Sequence, residues 1–168
     1  RYGNVMGSRG SVIPFFLSIF KSGTLPITDS RMTRFMITLE EGVELVWRAF
    51  DDMVGGEIYV KKIPSMKVID IANSVSKDAK QDIVGIRPGE KLHEQMIGEE
   101  DALHTYEYDD YYKILPAIHN WSDDVARIGK GKKVPENFTY SSDTNTEWMS
   151  IEELQNWIKN NREKIGKF

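Results

Sequence analysis

Cysteine is absent from the 168 residues of this chain. Its absence excludes disulfide bonds, thiolate nucleophiles and zinc–thiolate sites, and it suits a reducing cytoplasm. The three histidines are scattered, so the sequence does not indicate a metal site. No uninterrupted apolar run approaches the roughly 20 residues that cross a bilayer, and no basic-then-apolar leader opens the chain. We therefore expect a cytoplasmic, non-secreted protein that does not enter a membrane.

Familiar catalytic motifs are also missing. A dinucleotide-binding domain is marked by Gly-x-Gly-x-x-Gly between a strand and a helix, and the chain contains no such run. No lysine follows a tyrosine by four positions. Walker loops, Gly-x-Ser-x-Gly turns and His-Glu-x-x-His helices are absent too. We therefore predict that no catalytic residue lies in this chain.

The net charge of −4 argues against a general nucleic-acid surface. Binding dominated by phosphate contacts needs many cations on one face of the molecule. However, four of the eight arginines, Arg1, Arg9, Arg31 and Arg34, fall within the first 34 positions. A local anion site is therefore compatible with the acidic total.

The composition, 40% hydrophobic and 29% charged, is that of one ordinary globular domain with a buried core. Capping and periodicity predict about four helices. They begin at Ser11 in "SVIPFFLSIFKSG", after the Thr38–Glu41 capping box, at Ser65 in "SMKVIDIANSVSK", and after the Ser150–Glu153 box. "RYGNVMG", "EIYV" and "DIVGI" predict short strands, and the stretch from Thr105 predicts an extended strand at a sheet edge. This mixture favours one α/β lobe and not a complete doubly wound sheet.

Two stretches of the sequence indicate anion binding, namely the start of the first predicted helix and a pair of arginines. If Ser11 caps its helix, the free N–H groups that follow offer a place for phosphate, although capping alone is the simpler interpretation. In "DSRMTRF", Arg31 and Arg34 lie three positions apart, and guanidinium groups suit bidentate contact with phosphate. Salt bridges to Asp29 or Glu40 would explain the same two arginines.

The stretch "GIRPGEK" adds a third indication. Its Pro88-Gly89 turn brings Arg87 and Glu90 to the same side, pairing a phosphate donor with an acceptor for ribose hydroxyls. An ordinary surface turn closed by an Arg–Glu pair is the alternative.

Two further stretches are candidates for contact with a ligand. Asn4 ends the first predicted strand, a position typical of binding residues on open α/β sheets, although a turn-stabilising role is simpler. "LPITD" predicts an extended edge whose backbone groups pair with a planar base, or else a core strand. The histidines and the tyrosines from Tyr106 to Tyr112 are interpreted as structural, because acidic neighbours would repel phosphate from the tyrosines.

Taken in order, "RYGNVMGSRGSVIPFF", "PITDSRMTRFMITLEEGV", "GGEIYVKKIPSMKVIDIA" and "GIRPGEKLHEQMI" resemble the carboxy-terminal half of the inverting UDP-N-acetylglucosamine 4,6-dehydratases. These enzymes are relatives of the extended short-chain dehydrogenase/reductases. "IPSMK", "RPGEKLHE" and "YSSDTNTEWMS" favour the branch that begins pseudaminic acid synthesis over the capsule-forming branch. The resemblance implies that residues 1–168 form the UDP-sugar-binding lobe, and that most of the Rossmann domain lies outside this chain.

The resemblance also implies an activity. Enzymes of this family use NADP to oxidise C4 of UDP-N-acetylglucosamine, eliminate water across C5 and C6, and return the hydride to C6 with inversion at C5. Their cofactor loop and acid/base residues lie upstream of the segment that matches Arg1, so the catalytic residues fall outside this chain. We expect a homo-oligomer that binds UDP-N-acetylglucosamine. A non-catalytic UDP-sugar-binding module and a structural assembly element remain alternatives.

By position, the resemblance assigns roles to individual residues. Tyr2 and Gly3 lie near the nicotinamide, Asn4 contacts the sugar, and Ser11 and Val12 contact the diphosphate. Pro26, Ile27 and Thr28 pair with uracil, Arg34 and Arg87 bind the diphosphate, and Glu90 accepts from the ribose hydroxyls. All these assignments require Arg34 and Arg87 to face one pocket.

Overall fold

A computed structural model describes residues 1–119 and 124–167. In it the first predicted strand is β1 (Asn4–Val5), which pairs in parallel with β3 (Thr33–Ile37). The other edge of β3 pairs antiparallel with β5 (Ser65–Lys67). β2 (Thr24–Ile27) forms a separate parallel pair with β6 (Lys80–Ile83). β2 follows the first helix after the 3₁₀ turn Phe20–Ser22, and its end lies near the start of that helix, since Pro26 and Thr28 line the same cleft as Ser11 and Val12.

The remaining strands form a four-stranded sheet and a second pair. The sheet has the order β10-β8-β9-β4, and the pair joins β11 to β7. Their bounds are β4 (Ile58–Lys61), β7 (Gln95–Ile97), β8 (Thr105–Glu107), β9 (Tyr111–Ile114), β10 (Lys132–Lys133) and β11 (Tyr140–Ser141). Tyr106, Tyr111 and Tyr112 are buried, so the tyrosines are packed as predicted. Strand β9, however, lies inside the sheet and not at an edge.

Four helices of eight or more residues occur in the described part of the chain, as predicted. They are α1 (Val12–Ile19), α2 (Leu39–Asp52), α3 (Val68–Val75) and α6 (Ile151–Asn161). The capping boxes of α2 and α6 are both formed. Two single-turn helices, α4 (Glu99–Ala102) and α5 (Val125–Ile128), complete the set. The mixed α/β class with short strands is thus confirmed.

The start predicted for the third helix was wrong. Ser65 to Lys67 form strand β5, and the helix begins only at Val68. Ser65 is fully buried and lies opposite Phe35 of β3. Tertiary pairing therefore keeps these three residues extended, although their apolar spacing continues the helical period of α3.

Two apolar clusters form most of the core. In the first, α1, α3 and α6 pack on β2 through residues such as Phe16, Ile71 and Leu154. The second joins β3 to β4, β7 and β9 through residues such as Phe35 and Ile97. Strand β3 contributes to both clusters and so connects the helical side to the four-stranded sheet.

Residues 140–150, which we call the strap, tie several strands together. The hydroxyl of Tyr140 accepts from the Ile63 N–H at 2.9 Å and donates to the Ile63 carbonyl at 3.0 Å. Asn145 Nδ2 donates to the same carbonyl at 2.9 Å and to Ser65 Oγ at 3.1 Å. The "YSSDTNTEWMS" stretch therefore fixes the backbone between β4 and β5.

The helical spacing of α2 does not reveal what its apolar face packs against. Val43, Val46, Trp47 and Phe50 are all exposed, with Trp47 at 65% and Phe50 at 63%.

Within residues 1–119 and 124–167, no helix combines the length and the apolar character needed to cross a membrane. The same residues contain no group of three or more histidine or carboxylate side chains placed to hold a metal ion.

Candidate functional site

A cleft of about 730 Å³ opens between the start of α1, the end of β2, the start of β3 and the loop after β6. We call it the large cleft. Its lining includes Asn4, Arg9, Ser11, Val12, Pro26, Thr28, Arg34, Arg87 and Glu90. The structure thus brings together every substrate-contacting residue predicted from the sequence except Ile27. In particular, Arg34 and Arg87 face the same cleft.

The start of α1 forms one wall of the large cleft. Ser11 is the N-cap residue, as predicted, but its side chain makes no capping hydrogen bond. Instead Ser11 Oγ donates to the Ser8 carbonyl at 2.7 Å. The backbone N–H groups of Val12 and Ile13 therefore have no side-chain acceptor, and Pro14, the next residue of the first turn, has no N–H group. Capping by Ser11 therefore does not compete with an anion here.

Arg34 directs most of its donors to groups of the protein itself. Its Nη1 donates to the carbonyls of Thr33 at 2.7 Å and Leu92 at 3.2 Å. Its Nη2 donates to the Lys91 carbonyl at 3.1 Å and to Met32 Sδ at 3.0 Å. The remaining N–H, on Nε, lies 3.6 Å from the Glu94 carboxylate. Arg34 therefore offers the cleft its positive charge but few free donors.

Arg87 differs from Arg34 in this respect. It is exposed, and within residues 1–119 and 124–167 no hydrogen bond or ion pair involves its guanidinium group. Its backbone N–H donates to Glu90 Oε2 at 3.3 Å, and the Glu90 N–H donates to the Arg87 carbonyl at 3.0 Å. The predicted turn is therefore confirmed, with Gly89 at a φ of 83°, but its hydrogen bonds join Glu90 to the Arg87 backbone and not to the guanidinium group. All five guanidinium N–H groups stay available to a ligand.

Arg31, the other arginine of "DSRMTRF", forms a salt bridge with Asp29, which was one of the two explanations considered for it. Its Nη2 lies 2.8 Å from Asp29 Oδ2, and its Nε donates to Asp29 Oδ1 at 3.0 Å. These hydrogen bonds from Arg31 lower the pKa of Asp29 to about 2. Arg9, to which the sequence assigned no individual role, lines the cleft, is exposed and makes no ion pair in the described part of the chain. The concentration of arginine near the start of the chain was the sequence feature that pointed to it.

The end of β2 forms the opposite wall. Pro26 and Thr28 line the cleft, as predicted. The Ile27 side chain is fully buried in the first core cluster, and its carbonyl accepts from the Val84 N–H at 2.8 Å. Alternation along a strand explains this outcome, because neighbouring side chains point to opposite faces. For Ile27 the structure favours the core-strand interpretation.

A second, smaller cleft of about 390 Å³ adjoins β1, and Tyr2, Gly3, Asn4 and Glu94 line it. Asn4 lines both clefts and so lies where they meet. Tyr2 is 53% exposed. A Cβ atom at Gly3 would lie only 2.4 Å from Phe35 Cβ, so this glycine permits β1 to approach β3.

The Glu94 carboxylate lies within hydrogen-bonding distance of the Asn4 amide. In the amide orientation that satisfies its neighbours, Asn4 Nδ2 donates to Glu94 Oε2 at 2.8 Å and to Oε1 at 3.1 Å. Burial raises the pKa of the Glu94 carboxyl, while the Arg34 charge and a backbone hydrogen bond from Phe35 oppose the rise. The sequence did not predict a role for Glu94, because no local pattern links this residue to Asn4, which lies 90 positions earlier.

Residues 1–116 match the protein family described as polysaccharide biosynthesis protein. The chain belongs to this family. An inverting UDP-N-acetylglucosamine 4,6-dehydratase of Campylobacter jejuni is 51% identical to it over 161 residues, an alignment that covers 92% of this chain and 48% of that protein. A UDP-glucose 4-epimerase of Rickettsia conorii is 36% identical over 160 residues, covering 92% and 47%. The resemblance predicted from the sequence is confirmed.

A solved structure supports the same relationship. The X-ray structure of Pen from Bacillus thuringiensis is similar to this chain with a TM-score of 0.79 and 32% identity. The match covers 96% of this chain and 48% of that one. The chain therefore spans about half the length of the relatives that it matches.

Proposed function

We propose that this chain is the UDP-sugar-binding half of an inverting UDP-N-acetylglucosamine 4,6-dehydratase. The observation that carries the proposal is the large cleft, in which Arg87, Glu90, the start of α1 and the end of β2 face one another. These elements supply donors for a diphosphate, an acceptor for ribose and an extended backbone for a base. The 51% identity to the Campylobacter dehydratase supports this ligand over other nucleotides.

Each wall of the cleft then has one part of the ligand to bind. Arg87 and the amides of Val12 and Ile13 contact the diphosphate, and the charges of Arg9 and Arg34 attract it. The Glu90 carboxylate accepts from the ribose hydroxyls, while Pro26 and Thr28 border the uracil. Asn4 contacts the sugar, which extends toward the small cleft.

In this proposal NADP binds mainly to a dinucleotide-binding domain outside residues 1–168, and these residues form one UDP-sugar-binding domain. NADP, when bound, supplies the hydride acceptor for C4 of the sugar. The exposed Tyr2 ring fits a contact with one end of the cofactor. Gly3, which adjoins Tyr2 just before β1, lies near the nicotinamide in the same proposal.

The proposed reaction removes one water from UDP-N-acetylglucosamine and inverts C5, giving a UDP-4-keto-6-deoxy-L-arabino-hexosamine. We assign it to pseudaminic acid and surface or flagellar glycan synthesis, and to a cytoplasmic homo-oligomer. The motifs "IPSMK" and "YSSDTNTEWMS" support this branch over the capsular one.

Incubating the full-length protein with UDP-N-acetylglucosamine in deuterated water tests the reaction. Mass spectrometry should detect loss of one water, and NMR should place solvent deuterium at C5 of the inverted product. A full-length protein loaded with NADP that releases no such product would refute the dehydratase assignment.

The 36% identity to a UDP-glucose 4-epimerase favours a second candidate, epimerisation at C4. The same incubation distinguishes it, because an epimerase changes the configuration at C4 without loss of water. A protein that binds the UDP-sugar and returns it unchanged would instead be a non-catalytic binding module.

A further inference from the structure

The contact between Asn4 and Glu94 fixes which atom Asn4 presents to a ligand. In the amide orientation that satisfies both side chains, Asn4 Nδ2 donates to both oxygens of the Glu94 carboxylate, at 2.8 and 3.1 Å. In its ionised form, which the neighbouring Arg34 charge favours, the Glu94 carboxylate only accepts hydrogen bonds and so selects the amide orientation with nitrogen toward Glu94. The Oδ1 atom of Asn4 is then the polar atom left for the junction of the two clefts.

Arg34 also lies beside the Glu94 carboxylate. Arg34 Nε lies 3.6 Å from Glu94 Oε1, and the Arg34 side chain is only 13% exposed. The other Arg34 donors are committed to carbonyls of Thr33, Lys91 and Leu92 and to a methionine sulfur. Arg34 therefore cannot turn freely toward a diphosphate, and its charge lies beside Glu94.

The backbone of Glu94 is fixed independently of its side chain. Its N–H donates to Ser142 Oγ at 2.9 Å, and its carbonyl accepts from the Ser142 N–H at 2.8 Å. Ser142 is fully buried and also hydrogen-bonds to Thr33 Oγ1 at 2.7 Å. A change confined to the Glu94 side chain should therefore leave this part of the strap and its partner strands in place.

We propose that Arg34 and Glu94 are positioning residues that hold the Asn4 amide with its oxygen toward the sugar, so that the sugar group bound there is a hydrogen-bond donor. A hydroxyl or the N–H of an acetamido group has the required chemistry. The proposal rests on the UDP-sugar function proposed above and assigns Arg34 a role in orientation. Direct contact with the phosphates then falls to Arg87.

Glu94→Gln in the full-length protein tests the orientation. A glutamine side chain has one oxygen that accepts and one NH₂ group that donates hydrogen bonds. Either orientation of the Asn4 amide then finds a partner at position 94, so the Asn4 oxygen is no longer held toward the sugar. Calorimetry should measure the dissociation constants of UDP-N-acetylglucosamine and of UDP. Loss of one negative charge acts on both ligands, so the informative quantity is the ratio of their affinities. We expect preference for the UDP-sugar over UDP to fall about tenfold, the loss of one hydrogen bond.

A matched pair of variants supplies the controls. Glu163→Gln makes the same substitution at an exposed position outside both clefts and should leave the ratio unchanged. The double variant Asn4→Asp with Glu94→Gln reverses donor and acceptor, since the introduced glutamine amide donates to the introduced aspartate, which keeps one carboxylate oxygen for the sugar. It should regain most of the lost preference, which a purely structural defect at Glu94 would not.

The outcomes separate this inference from the proposed function. If the unmodified protein binds neither UDP nor the UDP-sugar, both fail. If it binds them and Glu94→Gln keeps the same ratio, or the double variant is no better than Glu94→Gln, the orienting role alone is refuted. Equal loss of both ligands in Glu94→Gln would also refute it.

Discussion

Arg34 and Arg87 illustrate how two similar side chains in one cleft differ in what they offer a ligand. The guanidinium spacing and the Pro-Gly turn predicted both as phosphate contacts. The structure places both in the cleft, but Arg34 is bonded to carbonyls of residues 91 and 92, far away in sequence. Such partners have no local sequence pattern, so the different roles of the two arginines could not be predicted.

Replacing Arg87 should weaken nucleotide binding directly. Because its donors are free and its charge is exposed, Arg87→Ala should cost about 1.5–3 kcal/mol of UDP affinity, the range for hydrogen bonds to charged groups. Calorimetry on the full-length protein measures the change. Arg162→Ala, an exposed arginine outside the large cleft, serves as control. Equal UDP affinity in the Arg87 variant and the control would contradict the assignment.

The close contact between Gly3 and Phe35 predicts how a substitution at Gly3 changes the stability of the fold. A Cβ atom there would meet Phe35 Cβ at 2.4 Å and the Phe35 carbonyl oxygen at 2.7 Å. Since Phe35 is fully buried, Gly3→Ala should destabilise the protein by roughly 1–3 kcal/mol, the usual cost of overpacking.

The midpoint of urea unfolding checks this expectation in the full-length protein. Gly98→Ala is the control, because a Cβ atom there has no neighbour closer than 3.6 Å. If Gly3→Ala unfolds at the same urea concentration as the control, the close approach of β1 to β3 does not require glycine.

Among the helices, local sequence patterns predicted the starts of those that have a capping box. They missed the start of α3, which tertiary contacts determine. Capping boxes at Thr38 and Ser150 mark the starts of α2 and α6. The start of α3 is set instead by pairing of β5 with β3. Amphipathic spacing also predicted α2, although its apolar face is exposed and the spacing says nothing of its partner.

The end of α2 is joined to strand β9 by an ion pair that should respond to acid. Lys113 of β9 is 3% exposed, and its Nζ lies 2.6 Å from Asp52 Oδ2. Burial alone would raise the pKa of Asp52, but hydrogen bonds from Lys113 and Tyr59 lower it below its ordinary value of 3.8. A carboxyl with a lowered pKa stabilises the fold fully above its unfolded pKa and loses this contribution as the pH falls through the folded value.

Comparison with Asp52→Asn isolates that contribution. The stability difference between the two proteins should be constant from neutral pH down to about pH 5 and should shrink below about pH 4. Denaturant unfolding at a series of pH values measures it. A difference that stays constant down to about pH 3 would contradict an ionised Asp52 as the acid-sensitive partner.

For the molecule as a whole, the sequence predicted the α/β class, the main helices and most of the lining of the large cleft. It could not predict the strap contacts or the link between Asn4 and Glu94, because these join segments that no short motif spans. Ile27 shows a third limit. The strand pattern identified the right segment but did not specify which residues face the ligand.

Ligand binding should stabilise the entire fold, since the cleft draws its walls from distant segments. UDP at about 100 times its dissociation constant should add about 2.7 kcal/mol to the stability of the full-length protein. The melting temperature should rise, and Arg87→Ala should lose most of that rise at the same UDP concentration. No rise with UDP would favour an assembly element whose arginines serve only protein contacts.

The loop that carries Arg87 differs from the rest of the cleft in how it is anchored. The opposite walls are fixed by β3, α1 and the strap, whereas residues 83–89 are exposed. Gly85 and Gly89 lie on either side of Arg87 in the sequence. Their φ values are 89° and 83°, and no atom lies within 4 Å of a Cβ position built at either glycine. Because such φ angles are costly for other residues, the path of the loop that presents Arg87 depends on glycine at both positions.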